Sequence, residues 1–223
     1  MRVIGVDGCR GGWVAAVVSD DGRITWTWST DIRDVLGQPA DAIAIDIPIG
    51  LPESGRRACD VAARARLGRR GVSVFAAPVR PVLSATSYAE ARATLAARGG
   101  PSMSAQAFGI VAAVRQVDAA LTSRDEDRVV EAHPEVAFVT MAGGTALPPK
   151  RSAAGAAARL RLVTRWHPDV IDDLAGAPAA VPLDDALDAL ACAWVAARWV
   201  RGEAEVLGDG ARDARGLVMR IVV

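Results

Sequence analysis

Four aspartates stand where a carboxylate needs a reason to be. Asp7 closes a short apolar run, residues 3–7, and precedes Gly8. Asp46 interrupts an otherwise apolar run, residues 42–49, between Ile45 and Ile47. Asp185 and Asp188 are three residues apart in a helical pattern, so they project from one helix face. An ionised carboxylate is rarely buried in an apolar strand without compensation. Asp46 has no basic neighbour within its run, which makes a bound cation the attractive partner. Mg²⁺ and Mn²⁺ take hard oxygen ligands, use few protein carboxylates and leave positions for water and phosphate. Four carboxylates from two strands and a helix are enough to hold two such ions. Two ions roughly 3.5–4 Å apart activate a water and stabilise the leaving oxygen of a phosphodiester. Plainer readings stand beside this one. Asp7 before Gly8 suits a hairpin, and Asp184 with Asp185 suits a helix N-cap and first turn. Only the Asp46 position lacks a comfortable structural alternative.

Other residues extend the chemistry. Glu131 and His133 stand at the mouth of a strand, as a further metal ligand or general base, or as polar residues capping the helix that Pro134 opens. Lys150 is the only lysine and sits in a proline-rich loop, where it either neutralises a phosphate or is a solvated surface residue. Arg10, in a glycine-rich turn, joins Arg57, Arg64 and Lys150 as candidate substrate contacts. Arg56, Arg57, Arg64, Arg66, Arg69, Arg70 and Arg80 form a local basic excess opposed only by Glu53 and Asp60. That excess reads as a phosphate-backbone surface or as a solvated helix face. The three cysteines, Cys9, Cys59 and Cys192, are widely spaced with no C-x-x-C, so neither a disulfide framework nor a zinc knuckle is expected. Cys59 reads as a small core residue rather than a nucleophile.

The elements that must position these residues can be read from turns and periodicity. Apolar runs at 3–7, 13–19 and 23–29, linked by Gly8-Cys9-Arg10-Gly11-Gly12 and Asp20-Asp21-Gly22, predict a three-stranded antiparallel meander. Residues 31–38 suit a short helix with Asp31 near its N-cap. The run 42–49 reads as a strand buried on both faces, hence a parallel sheet centre. Helical patterns follow at 56–70, 87–98 and 105–122, broken by Pro78, Pro81, Gly99, Gly100 and Pro101. Residues 128–132 suit a strand. Pro134 opens a helix that Gly143-Gly144 closes. Residues 152–166 and 184–200 read as helices, and 216–223 as a last edge strand.

The order β-β-β-(α)-β-α(insert)-β-α is that of the ribonuclease H-like fold: a central mixed sheet, antiparallel meander plus parallel strands, flanked by helices. With 223 residues, 51% of them hydrophobic, the chain predicts one globular α/β domain over 1–223 with a helical insert at about 53–123. Formal net charge is zero, so any basic footprint for nucleic acid must be local. The apolar strand pattern of residues 1–6 predicts no secretory signal, and no segment has the length of a membrane span without charge, Pro or Gly. A reducing cytoplasm is the expected location.

The motifs also resemble a family. Gly5-Val6-Asp7-Gly8-Cys9-Arg10-Gly11-Gly12-Trp13 and Asp46-Ile47-Pro48-Ile49-Gly50-Leu51-Pro52 are similar to the opening motifs of DUF429, a family of predicted ribonuclease H-like nucleases. The likeness continues through Arg57-x-Cys59-Asp60 with Arg64, Ser73-Val74-Phe75-x-x-Pro78, Glu131-Ala132-His133-Pro134-Glu135, Lys150, and Asp184 to Ala191. One departure is Ser104-Ala105-Gln106, where Ser-Lys-Gln is expected. More distantly, Gly5 to Gly8 and Asp185 to Ala191 resemble Holliday-junction resolvases of the RuvC type. The resemblance implies that Asp7, Asp185 and Asp188 are metal ligands and that the remaining acid lies on the fourth strand or nearby, for which Asp46 is the choice.

The expectation is therefore a metal-dependent nuclease, using Mg²⁺ or Mn²⁺ to hydrolyse phosphodiester bonds in DNA or RNA. Nucleic acid is the expected partner, no membrane is, and a homodimer is left open. A nucleotide-binding or phosphoryl-transfer protein of the actin-like ATPase kind would use Gly8 to Gly12 as a phosphate loop. Such proteins need two such domains, and no second Asp-Gly-Gly hairpin is present. A non-catalytic binding module that keeps the acids for structure is the third reading.

Overall fold

The computed structural model describes residues 1–98 and 102–223; Gly99, Gly100 and Pro101, expected as helix breakers, lie outside them. The chain divides into two compact units. Residues 1–47, 127–206 and 222–223 form the first, and residues 48–126 and 207–221 the second. The insert expected at 53–123 falls inside the second unit, which also takes in a C-terminal segment.

The first unit opens with β1 (Val3–Cys9), β2 (Gly12–Val18), β3 (Ile24–Ser29), α1 (Ile32–Leu36) and β4 (Ala42–Ile45). The second unit supplies α2 (Ala58–Leu67), α3 (Tyr88–Ala97), α4 (Ala105–Gly109) and α5 (Val111–Ala120), with short 3₁₀ turns between. The chain then returns to the first unit with β5 (Val129–Glu131), α6 (Pro134–Met141), α7 (Ala153–Trp166), α8 (Val170–Leu174) and α9 (Leu183–Val200). Two short strands, β6 (Val206–Leu207) and β7 (Ile221–Val222), pair with each other. Among the described residues no helix is long and apolar enough to cross a membrane.

The main sheet is mixed, in the order β3-β2-β1-β4-β5. β1, β2 and β3 form the antiparallel meander, and β1, β4 and β5 run parallel. The three parallel strands are almost wholly apolar because a sheet centre is covered on both faces. One face packs against α9. Val3, Val14, Ala16, Ala42, Ala44, Val130 and Ala132 alternate onto that face and meet Leu187, Leu190 and Cys192 in one core. Gly5 lies on it too. A Cβ at Gly5 would overlap the Ala189 carbonyl and the Ala193 backbone. Only glycine lets the helix backbone come that close to the strand.

Several elements differ from the sequence reading. The fourth strand ends at Ile45 rather than running to residue 49, since Pro48 has no N–H and Gly50 takes φ 76°. The helix expected over 105–122 breaks at Ile110, which caps α4 and opens α5. The last strand shrinks to Ile221–Val222.

Inside the second unit, Val79, Val82, Ala85, Ala91, Leu95 and Val111 form its own apolar cluster. Two charged struts brace the loops of this unit. Arg57 donates to Asp60 at 2.5 Å and to the Ile49 carbonyl at 3.0 Å. Arg80 pairs with Asp118 and Asp213, and Asp213 also accepts from the Leu51 amide at 3.0 Å.

Candidate functional site

The site grows from strand register. β1 and β4 are parallel with Val6 opposite Ile45, and the Asp46 amide donates to the Val6 carbonyl at 2.9 Å. Asp7 and Asp46 are therefore successive steps at the carboxyl ends of neighbouring strands. Gly5 faces α9, so Asp7, two residues on, shares that face, and Asp46 follows Ala44 onto it. Ligands of open α/β sheets bind outside the carboxyl ends of the strands. Gly5 fixes α9 through Ala189 and Ala193, which brings Asp185 and Asp188, in the first two turns of that helix, over the two strand ends.

Sequence reasoning allowed Asp184 to be the N-cap. Pro182 caps instead, so Asp184 and Asp185 both lie in the first turn, at the positive end of the helix dipole. Asp188 is 3% exposed and Asp7 7% exposed, far below what an ionised carboxylate tolerates without partners.

Burial raises Asp7 well above the ordinary carboxylate range, and Asp46, Asp188 and Asp185 raise it further. Asp46 keeps some solvent exposure, yet the dense protein around its carboxylate pushes it up to about 7. Burial likewise pushes Asp188 to about 7, even though Lys150 opposes the shift. Asp185 is raised by burial and by Asp184. Beneath the acids, burial pushes the Cys192 thiol well up, so it is a neutral part of the floor.

One cation is already among them. Lys150 donates from Nζ to Asp188 Oδ2 at 2.7 Å. Burial lowers its pKa, but Asp188 and Asp7 outweigh that and raise it overall, so the ammonium stays charged. Its loop is pinned from two sides. Arg159 donates to the Pro148 carbonyl at 3.1 Å and to Glu135 Oε1 at 2.5 Å. A side chain at Gly155 would overlap the Pro149 carbonyl, so this loop lies directly on α7. Beside the acids, Lys150, Arg151, Arg159, Asp184 and Leu187 line a cavity of about 420 Å³.

Of the residues singled out from sequence, Asp7, Asp46, Asp185, Asp188 and Lys150 come together. Glu131 does not follow them by register. It pairs with Ile45, so the pleat turns it to the other face of the sheet. His133 is the backbone N-cap of α6, and its side chain makes no capping bond. Arg10 stands exposed in the turn after β1. Arg57 is 2% exposed and tied to Asp60, a place for bracing a fold rather than for meeting solvent phosphates. Arg64 donates from Nε to the Val74 carbonyl at 2.8 Å within the second unit.

Sequence reasoning missed Glu135 and Arg159. Glu135 acts on both Asp46 and Asp188, and Arg159 compensates it. A glutamate in the first turn of an otherwise apolar helix was the available signal. Among the described residues, no group of three or more His, Cys, Asp or Glu side chains is arranged so that it could hold a metal ion. The acids are gathered, and Asp188 is bonded to Lys150.

A family model described as a protein of unknown function, DUF429, matches residues 5–213. No curated protein and no solved structure matches the chain.

Proposed function

This chain belongs to the DUF429 family, and from its own site we propose that it is a divalent-metal-dependent phosphodiesterase of ribonuclease H-like architecture, acting on nucleic acid. The carrying observation is the convergence of Asp7, Asp46, Asp185 and Asp188 at the ends of two parallel strands and one helix, each of them raised in pKa. The strand order β3-β2-β1-β4-β5, a meander followed by parallel strands, supports the fold assignment.

The donor set fits a hard ion. It offers only carboxylate oxygens, and its negative charge exceeds what Lys150 neutralises. Asp7, Asp46 and Asp188 would hold Mg²⁺ or Mn²⁺, with Asp185 as a further ligand. When bound, the metal supplies Lewis-acid stabilisation of charge on phosphate oxygens. The protein's own groups contribute the rest. Lys150 is a positive charge beside the acids, bonded to Asp188, and would neutralise a phosphate oxygen that approaches them. Asp46 and Asp188 are raised to about 7 without metal, and a bound cation would hold both as carboxylates. Arg151, whose side chain is 88% exposed, can meet a neighbouring phosphate of the same strand.

The test is cleavage of end-labelled single- and double-stranded DNA and RNA with Mg²⁺ or Mn²⁺. Wild type is expected to cleave at least one of them, and EDTA, Asp7→Asn and Asp188→Asn are each expected to stop it. Equal cleavage by wild type and Asp7→Asn would contradict the proposal. A second reading is favoured by the Lys150–Asp188 and Arg159–Glu135 pairs. In it the acids serve a non-catalytic module held together by ion pairs. Metal binding without cleavage of any substrate would select it.

A further inference from the structure

The second unit carries a cavity that the phosphodiesterase reading does not use. Its volume is about 210 Å³. Val79, Val82 and Leu95 form part of the wall and belong to that unit's apolar cluster, with Met103 packed against it. The wall is therefore core, fixed by packing rather than loosely draped. Phe75 adds a flat aromatic surface.

The rim has the opposite character. Arg56, Arg64 and Arg98 line the cavity against one carboxylate, Glu53, which lies 3.8 Å from the Arg80 guanidinium. Arg64 is held in place by its Nε bond to the Val74 carbonyl, and a guanidinium has four further N–H donors. Three arginines beside apolar lining residues match an anion joined to an apolar body. Guanidinium planes and a phenyl ring both favour a flat π-system over a flexible chain. The volume lies below the roughly 300–1,000 Å³ of sites for drug-sized ligands, which limits the body to one or two fused rings.

We propose that this cavity binds a small flat ring system bearing one carboxylate or phosphate, with the ring against Phe75, Val82 and Leu95 and the anion at Arg64 and Arg98. Two sources share that chemistry, aromatic carboxylic acids, and nucleoside monophosphates, whose base would fill the cavity while the ribose carries the phosphate to the arginines.

The probes are 2-naphthoate and adenosine monophosphate, titrated calorimetrically against the full chain in EDTA, with adenosine and inorganic phosphate as controls. At least one ring anion is expected to bind at least about tenfold more tightly than either control. Binding of naphthoate alone assigns the carboxylic acid class, and binding of the monophosphate alone assigns nucleotides. Ala107→Phe, which fills the cavity, and the surface variant Arg98→Glu are each expected to weaken binding at least about tenfold. Asp7→Asn is expected to leave it unchanged, which separates this site from the carboxylate cluster. The proposal is overturned if neither ring anion binds, if adenosine or phosphate binds as well as they do, or if Arg98→Glu binds like wild type.

Discussion

Lys150 is the chain's only lysine, and its ammonium lies 2.7 Å from Asp188. Replacing it with methionine keeps the apolar stem and removes the charge, leaving Asp188 buried and unpaired. Breaking a buried pair from one side costs roughly 3–5 kcal/mol, and the partial exposure of Lys150 reduces that to about 1–3 kcal/mol. Urea denaturation at pH 8 is expected to show this loss, and at pH 5.5 a smaller one, because Asp188 can then take up a proton. A loss that is the same at both pH values would mean that the charge pairing of Lys150 with Asp188 is not what stabilises the fold.

The same acids set how metal-free stability depends on pH. Asp46 and Asp188 are raised from 3.8 to about 7 in the folded protein. A carboxylate whose folded pKa is raised stabilises the fold below its unfolded pKa, and that contribution is lost as pH rises through the folded value. Without divalent metal, the melting temperature is expected to fall between about pH 4 and pH 8 from these groups, and Asp46→Asn is expected to flatten the fall. Thermal unfolding in EDTA across that range measures both.

Helix α9 places half of the acids, and Gly5 is what lets it. Gly5→Ala would force apart strand and helix backbones that touch, an overpacking penalty of about 3 kcal/mol or more by denaturant titration. Arg159→Met would remove the guanidinium bonded to Glu135 and release the Pro148 carbonyl, at about 3–5 kcal/mol. Much of this arrangement was legible in the sequence. Asp7 closes one apolar run and Asp46 interrupts another, and the three-residue spacing of Asp185 and Asp188 puts them on one helix face. Other parts had no local signal. Glu131 looks equivalent to Asp46 by position in its strand, and only the register with Ile45 shows that it faces the other way. The Glu135–Arg159 pair joins residues 24 apart, and Arg159 reads as one arginine among many on a helix. The helix α8 is too short for periodicity to reveal.

With zero net charge, the protein has no general attraction for nucleic acid, so the proposed binding would rest on a few local contacts. The arginines of the second unit divide into two kinds. Arg57 and Arg80 are braces inside it, while Arg56, Arg64 and Arg98 line its cavity. No sequence pattern distinguishes a bracing arginine from a solvated one, nor tells that residues 207–221 join residues 48–126. Arg151 is the exposed cation beside the acids, and Arg151→Gln is expected to reduce the salt slope of nucleic-acid binding by about one. An unchanged slope would remove Arg151 from the phosphate contacts.

Thermal unfolding with and without Mn²⁺ decides whether the gathered carboxylates are a metal centre. A divalent ion that binds only the folded state relieves the repulsion around Asp7 and stabilises by mass action, about 2.7 kcal/mol at a hundredfold excess over Kd. Millimolar Mn²⁺ is expected to raise the melting temperature of wild type, where NaCl of equal ionic strength does not. Asp7→Asn, which keeps the shape and removes one charge, is expected to abolish that rise without lowering metal-free stability. An equal Mn²⁺ response in wild type and Asp7→Asn would make Asp7 a turn residue and leave the cluster without a role in holding metal.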